Sequence, residues 1–542
     1  MVSSDKQIVL RPVGTLNEQG RTVPMNLSQF FGLTCLGLLI GMPTSAQETC
    51  PHPEGWKPTD AELQQVLSDH RQWVQKQETA PPGVAPSDGR ANLCNADLRQ
   101  VELNEAVLSG ANLNQAILSG AKLARANLDK AELSLANLNE AYLAHAYLNE
   151  AKLSSANLNE AYMAEANLNK AELTSANLNK ADLSNANLNE AVLLFANLNE
   201  AVLSGANLNN ADLSLANLNK ADLSHANLKE AKLLNAKLNE AFLFEANLNK
   251  AELTVADLNK AELTSANLNE AVLSGANLNE AVLSGAKLQK VLLRFASVAG
   301  THFDYADLTG AYYAPKSPAP DAYVAQIKGL ETLDFPDGED AGLVQLRDLL
   351  QKAGLRDLER QATFAIESGR TNHSIARRTP GDIAEGVFRK VAFDWTTRYG
   401  LQPARALFSI AVVWALLIPV YSWPIWRQPK QAKHGSGVYR VLPKDRIEVR
   451  DGEPTLDNPA RVERLHVRGL ATIAWSAYFS LLSAFQIGFR EFSVGTWLTR
   501  AQPRIFALEA TGWVRTVSGL QSLLSVYLLA MWLLTYFGRP FQ

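Results

Sequence analysis

Residues 176–220 read ANLNK ADLSN ANLNE AVLLF ANLNE AVLSG ANLNN ADLSL ANLNK. In every block of five the first residue is Ala and the third is Leu. An amphipathic helix needs apolar residues at three- and four-residue spacing, and a half-buried strand needs unbroken alternation, so neither element fits. Two apolar positions two residues apart share one face of a short extended segment, after which the chain must turn before the next pair. Each block is therefore one short side of a coil, with Ala and Leu inward and the other three positions outward.

The pattern runs without interruption from Ala91 to Pro315. The first position departs from Ala only at Val101, Val291 and Thr301, and the third departs from Leu at Met163, Val298, Phe303 and Tyr313. This A(N/D)LXX pattern closely resembles the pentapeptide-repeat family. The resemblance implies a right-handed quadrilateral β-helix, mainly a β solenoid, with four blocks to a coil. At ordinary inter-strand spacing, about eleven coils would make a rod about 50 Å long. The expected organisation is a signal peptide or short anchor over 1–46, a helical cap over 47–90, the β-helix over 91–315, a helical linker over 316–400, and an α-helical transmembrane domain over 401–542.

A second period, of ten, lies on the first. From Ala126 to about Ala286, ANLNE or ANLNK blocks alternate with AVLSG, AELTS or ADLSN blocks. On a four-sided coil this places Asn on two opposite sides and variable residues on the other two. Stacked amides such as Asn157, Asn177, Asn197 and Asn217 then hydrogen-bond from coil to coil. The fifth position mixes Glu, Lys, Gly and Ser, in which we read no charge stripe. Tyr142, Tyr147, Tyr162 and Phe242 fall at outward second positions and are candidates for a contact patch.

Both ends of such a coil need covering. Thr59-Asp60-Ala61-Glu62 has the form of a capping box and opens a helix of about 15 residues. At the far end His302, Phe303, Tyr305, Tyr312 and Tyr313 thicken the last coil, and Pro315, Pro318 and Pro320 end it. Residues 321–400 read as helical, with an apolar spacing expected of a hairpin packed on itself.

Phe30 to Met42 is a short apolar run followed by Thr44-Ser45-Ala46, the form of a signal-peptide core and its cleavage site. Export would leave Cys50 and Cys94 as an even pair in an oxidising compartment, where a disulfide between them is one expectation and two free thiols the other. Ala406–Trp426 and Val517–Phe537 carry no charged residue, are long enough to cross a bilayer and are edged with aromatics. Leu470–Phe489 lies between them, apolar and uncharged. The order of these segments resembles a two-helix potassium-channel-like module. That resemblance would make Gln486, Ile487, Gly488, Phe489, Arg490 and Glu491 a degenerate pore filter, although Arg490 stands where the filter needs glycine and Gln486 where it has Thr.

Charge and motif content narrow the function. The repeats carry about −9 of the formal net charge of −4, leaving about +5 elsewhere. Phosphate binding needs clustered Lys and Arg, so the rod is not expected to bind nucleic acid. The soluble DNA-mimicking members of the family are also a poor match, given the apolar C-terminal segments. Catalytic, cofactor and metal motifs are absent, so an enzyme, a cofactor or a metal site is not expected. The ten Lys and Arg between Arg427 and Arg468 favour a cytoplasmic loop. The sequence thus points to a membrane-anchored interaction scaffold with an unidentified protein partner and membrane lipid. The rod would be periplasmic on a bacterial inner membrane, a cytoplasmic rod being the alternative. The competing reading is an ion-channel-like protein, homo-oligomeric through its membrane domain.

Overall fold

The computed structural model describes residues 50–79, 89–316, 324, 326–426, 437–441, 462–464, 467–485, 507–511 and 513–537. Residues 1–53 and 54–542 form two separate compact units, and every element named below lies in the second. The expected signal segment 1–46 lies outside the described residues.

The hydrogen-bond accounting of one block explains its sequence. Ala176 N donates to Leu173 O at 3.0 Å, which closes a turn. Asn177 N donates to Ala156 O at 2.9 Å, Leu178 N to Asn197 O at 2.7 Å and Lys180 N to Asn199 O at 2.9 Å. Four of the five amides are thus used by backbone. The fifth, Asn179 N, points to the side chain of Asn177, whose Oδ1 accepts it at 3.4 Å. Asp at the second position does the same more tightly, as at Ser184 N to Asp182 Oδ1, 2.9 Å. An Asn or Asp in that place therefore satisfies the one donor the coil leaves over. Parallel bridges join each second position to the second position four blocks further on, as in Asn157, Asn177 and Asn197, so four blocks make one coil.

Turning after only five residues has a conformational cost. The fifth residue of each block is left-handed, as at Lys180 with φ 56° and Glu190 with φ 56°. Gly205 and Gly285 stand at the same place with φ 69° and 68°, where lack of a Cβ removes the penalty. The interior explains why the cost is tolerated. Ala and Leu of successive blocks form one continuous core, and Leu178 and Leu198 are fully buried.

The N-terminal end is closed by α1, Asp60–Thr79. Its capping box is formed: Thr59 N donates to Glu62 Oε2 at 2.7 Å and Glu62 N to Thr59 Oγ1 at 3.3 Å. The Thr59 amide and the Thr59 hydroxyl, which donates to Glu62 Oε2 at 2.9 Å, hold the Glu62 carboxyl below its ordinary pKa. Leu63 of α1 joins the rod core. His70 is fully buried there, and its Nδ1 accepts from Ala91 N at 2.9 Å. Burial pushes the pKa of His70 down to about 4. Upstream of α1, Trp56 bridges Ala96, so the chain adds an edge before the first repeat.

The C-terminal end departs from expectation. Pairing continues past Pro315, because Lys328 and Asp334 return to bridge Asp307 and Tyr312. Nor do the following helices, α2 (Ala341–Lys352) and α3 (Arg356–Ala376), pack only on each other. Leu343, Leu346, Leu350, Ala362 and Ile366 share one core with the last coil. An open solenoid end exposes both its apolar axis and unpaired edge groups, and the hairpin covers them. Helix α4, Pro380–Arg389, begins at Thr379, whose Oγ1 accepts from Asp382 N at 3.2 Å. It runs on through a π-helical turn, Lys390–Asp394.

Three apolar helices follow: α5 (Ala404–Trp426), α6 (Leu470–Phe485) and α7 (Trp513–Phe537). A small antiparallel sheet not foreseen from sequence accompanies them, with β1 (Gly437–Val441) between β2 (Val462–Arg464) and β3 (Ala507–Thr511).

Candidate interaction surface

Because the coil closes after four blocks, equivalent positions four blocks apart lie above one another on one side of the rod. Two opposite sides are amide ladders. On one, Asn177 Nδ2 donates to Asn157 Oδ1 at 3.1 Å, Asn197 to Asn177 at 3.0 Å and Asn217 to Asn197 at 2.9 Å. On the other, Asn187, Asn207, Asn227, Asn247 and Asn267 continue the same pattern from Asn167. Fourth-position amides form a parallel row, as in Asn179 to Asn159 at 2.9 Å. These sides spend their polar groups on each other.

Two corners carry charge ladders, which corrects the reading of the fifth position as unpatterned. Lys180 pairs with Glu200, Lys220 with Glu240 and Lys260 with Glu280 along one corner, at 3.7–3.9 Å. Lys130 with Glu150 and Lys170 with Glu190 do so along another, at 3.8 and 3.6 Å. The alternation is invisible in five-residue steps because the partner stands a whole coil, four blocks, away. Exposed pairs of this kind are each worth little, about 0.2–1 kcal/mol.

Residues 89–312 are pentapeptide repeats. The family model, described as Pentapeptide repeats, matches eight times, over residues 89–123, 116–154, 156–193, 196–235, 226–264, 236–275, 256–294 and 276–312. HetL, a pentapeptide repeat protein involved in heterocyst differentiation regulation from the cyanobacterium Nostoc sp. strain PCC 7120, is 32% identical over 44% of this chain and 94% of its own, with a TM-score of 0.29. Rfr23, a pentapeptide repeat protein from the cyanobacterium Cyanothece 51142, is 25% identical over 25% of this chain and 88% of its own, with a TM-score of 0.16. QnrB1, a plasmid-mediated fluoroquinolone resistance protein, is 17% identical over 32% of this chain and 88% of its own, with a TM-score of 0.23. Among curated proteins none matches significantly.

The two remaining sides of the pentapeptide rod hold its variable residues, and the exposed rings gather there. Tyr142 and Tyr162 lie one coil apart and stack at 4.9 Å with 15° between planes. Phe242 is on the same side four coils further along, beside Phe244, whose ring meets His225 edge-on at 5.4 Å. Tyr147, grouped with them on sequence alone, falls instead on an amide-ladder side, between Asn127 and Asn167. A feature missed in the sequence lies on one edge of the opposite variable side. Leu135, Phe195, Val255 and Phe295 all occupy a single corner and are 46–55% exposed. They are separated by whole numbers of coils, so block-by-block reading scatters them.

The helical membrane candidates are built the other way round. Helices α5 and α7 are long and apolar enough to cross a membrane, yet only 17% and 28% of their most apolar stretches is buried. What they bury is in part polar, beside an apolar cluster of Tyr421, Ile425, Phe479 and Val514. Tyr421 Oη donates to Gln521 Oε1 at 2.8 Å, and Gln521 Nε2 donates to Ser480 O at 2.9 Å. Ser422 bonds Ser476 at 3.0 Å and Ser518 bonds Ser483 at 2.8 Å. Trp414 Nε1 donates to Ala477 O at 2.9 Å. Small hydroxyls and amides joining helices are the cohesive contacts available where the surroundings are themselves apolar.

Gln486, Ile487, Gly488, Phe489, Arg490 and Glu491, the residues likened to a pore filter, lie outside the described residues. Cys50 and Cys94 are both disulfide-bonded. Among the described residues, no group of three or more His, Cys, Asp or Glu is placed to hold a metal ion.

Proposed function

We propose that the protein is a membrane-anchored scaffold whose pentapeptide rod engages a protein partner through its variable sides. The observation that carries this reading is the division of the rod surface. The amide-ladder sides are saturated by their own hydrogen bonds, whereas the stacked Tyr142–Tyr162 pair and the corner from Leu135 to Phe295 leave rings and aliphatic groups facing solvent. Aromatic side chains with few rotatable bonds are the usual anchors of protein interfaces. The apolar surface that α5 and α7 leave exposed, at Leu416, Leu520 and Leu523, supports the anchor. The disulfide state of Cys50 and Cys94 supports a rod on the oxidising side of the membrane.

The test is site-specific photocrosslinking in the native membrane. A crosslinker at Tyr162 or Phe195 should trap a discrete adduct, and one at Asn177 or Asn207 should not. Equal capture from all four positions, or none from the variable sides, would remove the proposal. Carbonate-resistant sedimentation of the full chain, lost when residues 401–542 are deleted, checks the anchor separately.

A further inference from the structure

Helix α4 and its continuation are mounted with the wrong face outward for a protein in water. The side of α4 turned to α3 carries Gly386 and Arg389, whose guanidinium reaches Glu367 of α3 at 3.3 Å and, along its own helix, the exposed Glu385 at 2.8 Å. Ser374 of α3 donates to the Asp382 carbonyl at 3.0 Å. Gly386 is pressed against α3 so closely that a Cβ would meet Ile375 at 2.5 Å, which fixes the rotation of the helix. The apolar side is left facing out. Ile383, Val387, Phe388, Val391 and Trp395 are 38–66% exposed; the first three share one α-helical face, and Val391 and Trp395 continue the exposed apolar surface through the π-helical turn.

That face adjoins the spans. Tyr527 of α7 donates to the Ala392 carbonyl. Met531 and Leu534 of α7 line a cavity of about 700 Å³ whose other walls are the rings of Phe388, Phe393 and Tyr399 and the charged groups of Glu367, Glu385 and Arg389. The apolar end of α7, where Leu533, Leu534 and Tyr536 are exposed, thus adjoins α4 and its continuation near Phe388 and Ala392. The next turn of chain enters α5, where Leu407 and Phe408 are exposed in the same way. One apolar band runs from α4 onto both spans. Lys390 and Arg405 stand exposed beside it.

From this continuity we infer that the segment Pro380–Trp395 is an interfacial membrane helix, with its apolar face immersed in the headgroup and upper acyl region of the bilayer. The inference rests on the anchored reading above. It assigns these residues to lipid instead of to a linker, and it sets the C-terminal cap of the rod directly on the membrane surface. Helices of this kind bury their apolar face about 5–10 Å into the boundary region, and Trp is favoured at that depth.

The experiment uses the full chain in a Cys35→Ser background, reconstituted into phosphatidylcholine–phosphatidylglycerol vesicles. An environment-sensitive fluorophore is attached at Phe388→Cys, at Val391→Cys as a second position, and at Leu416→Cys in the middle of α5. Vesicles carry nitroxide lipids labelled either shallow or deep along the acyl chain. The inference expects stronger quenching by shallow than by deep nitroxide at Phe388 and Val391, and the reverse at Leu416. Quenching at Leu416 with none at Phe388 and Val391 would overturn it while leaving the anchor intact. A blue-shifted but unquenched signal at both α4 positions would assign the face to a second copy of the chain and overturn it equally. Absence of quenching at all three would sink the anchored reading itself.

Discussion

The pentapeptide rod and the C-terminal helical bundle solve the same packing problem with opposite polarity. In the rod, Ala and Leu are sealed inside and the amides lie outside, where Asn177 both caps its own block and bonds the coils above and below. In the bundle, Ser480, Ser483 and Gln521 are buried while Leu416, Leu520 and Leu523 are exposed. The hydrophobic effect orders the first arrangement in water. The second suits the membrane setting proposed above, where the surroundings are as apolar as leucine and polar contacts add to the attraction between helices. The difference shows how one chain can encode its surroundings twice, through which side of each element it makes polar.

Substitutions can break or sharpen that contrast. The largest effect is expected for Leu198→Asp, which buries an unpaired charge in the rod axis and should cost about 5 kcal/mol. Because each coil contacts only its neighbours, hydrogen exchange should show a local opening around residue 198 with both flanks protected. Leu416→Asp should behave differently. On an exposed helix in water it would be nearly silent, but at mid-span it should weaken membrane insertion by about 3 kcal/mol, read as loss of carbonate-resistant sedimentation. A silent result would place α5 outside the bilayer.

At the end of the rod, His70 supplies a smaller effect with a defined sign. Its folded pKa of about 4 lies below its ordinary 6.5, so the folded state binds fewer protons than the unfolded one between these values. The contribution is fully present above about pH 6.5 and is lost as pH falls toward 4. Protonation also removes the Nδ1 acceptor of Ala91 N. We expect about 2 kcal/mol at the cap after allowing for residual screening, seen as acid-dependent exchange of α1 amides that His70→Gln abolishes. Asn177→Ala removes one cap and two ladder bonds and should cost about 1 kcal/mol in thermal unfolding. Lys180→Ala should cost less than about 0.5 kcal/mol and lose even that in high salt, because the pair with Glu200 is exposed.

The legibility of the sequence follows the range of the interaction. The coil could be read from Ala and Leu recurring every five residues; four blocks to a coil came from the family resemblance, and with it the ten-residue alternation gave the two amide ladders. Asn157, Asn177, Asn197 and Asn217 stack as that spacing requires. The capping box at Thr59 was legible for the same reason. Partners a whole coil apart were harder to see, and the charge corners and the apolar corner from Leu135 to Phe295 emerged only once the coil was closed. The grouping of Tyr147 with Tyr142 and Tyr162 failed on the same point, since a five-residue offset moves a side chain to the next side.

The sequence by itself determined that this chain coils, because Ala and Leu at a strict period of five leave an extended segment no alternative way to bury them. It also determined that two further segments are apolar enough to cross a membrane. Tertiary structure alone decided what closes the rod, since the core that Leu343 and Ile366 share with the last coil follows from no local periodicity. It likewise decided that α4 turns Gly386 and Arg389 to α3 and its apolar side outward, because amphipathicity fixes that a helix has two faces but only packing fixes which one is buried.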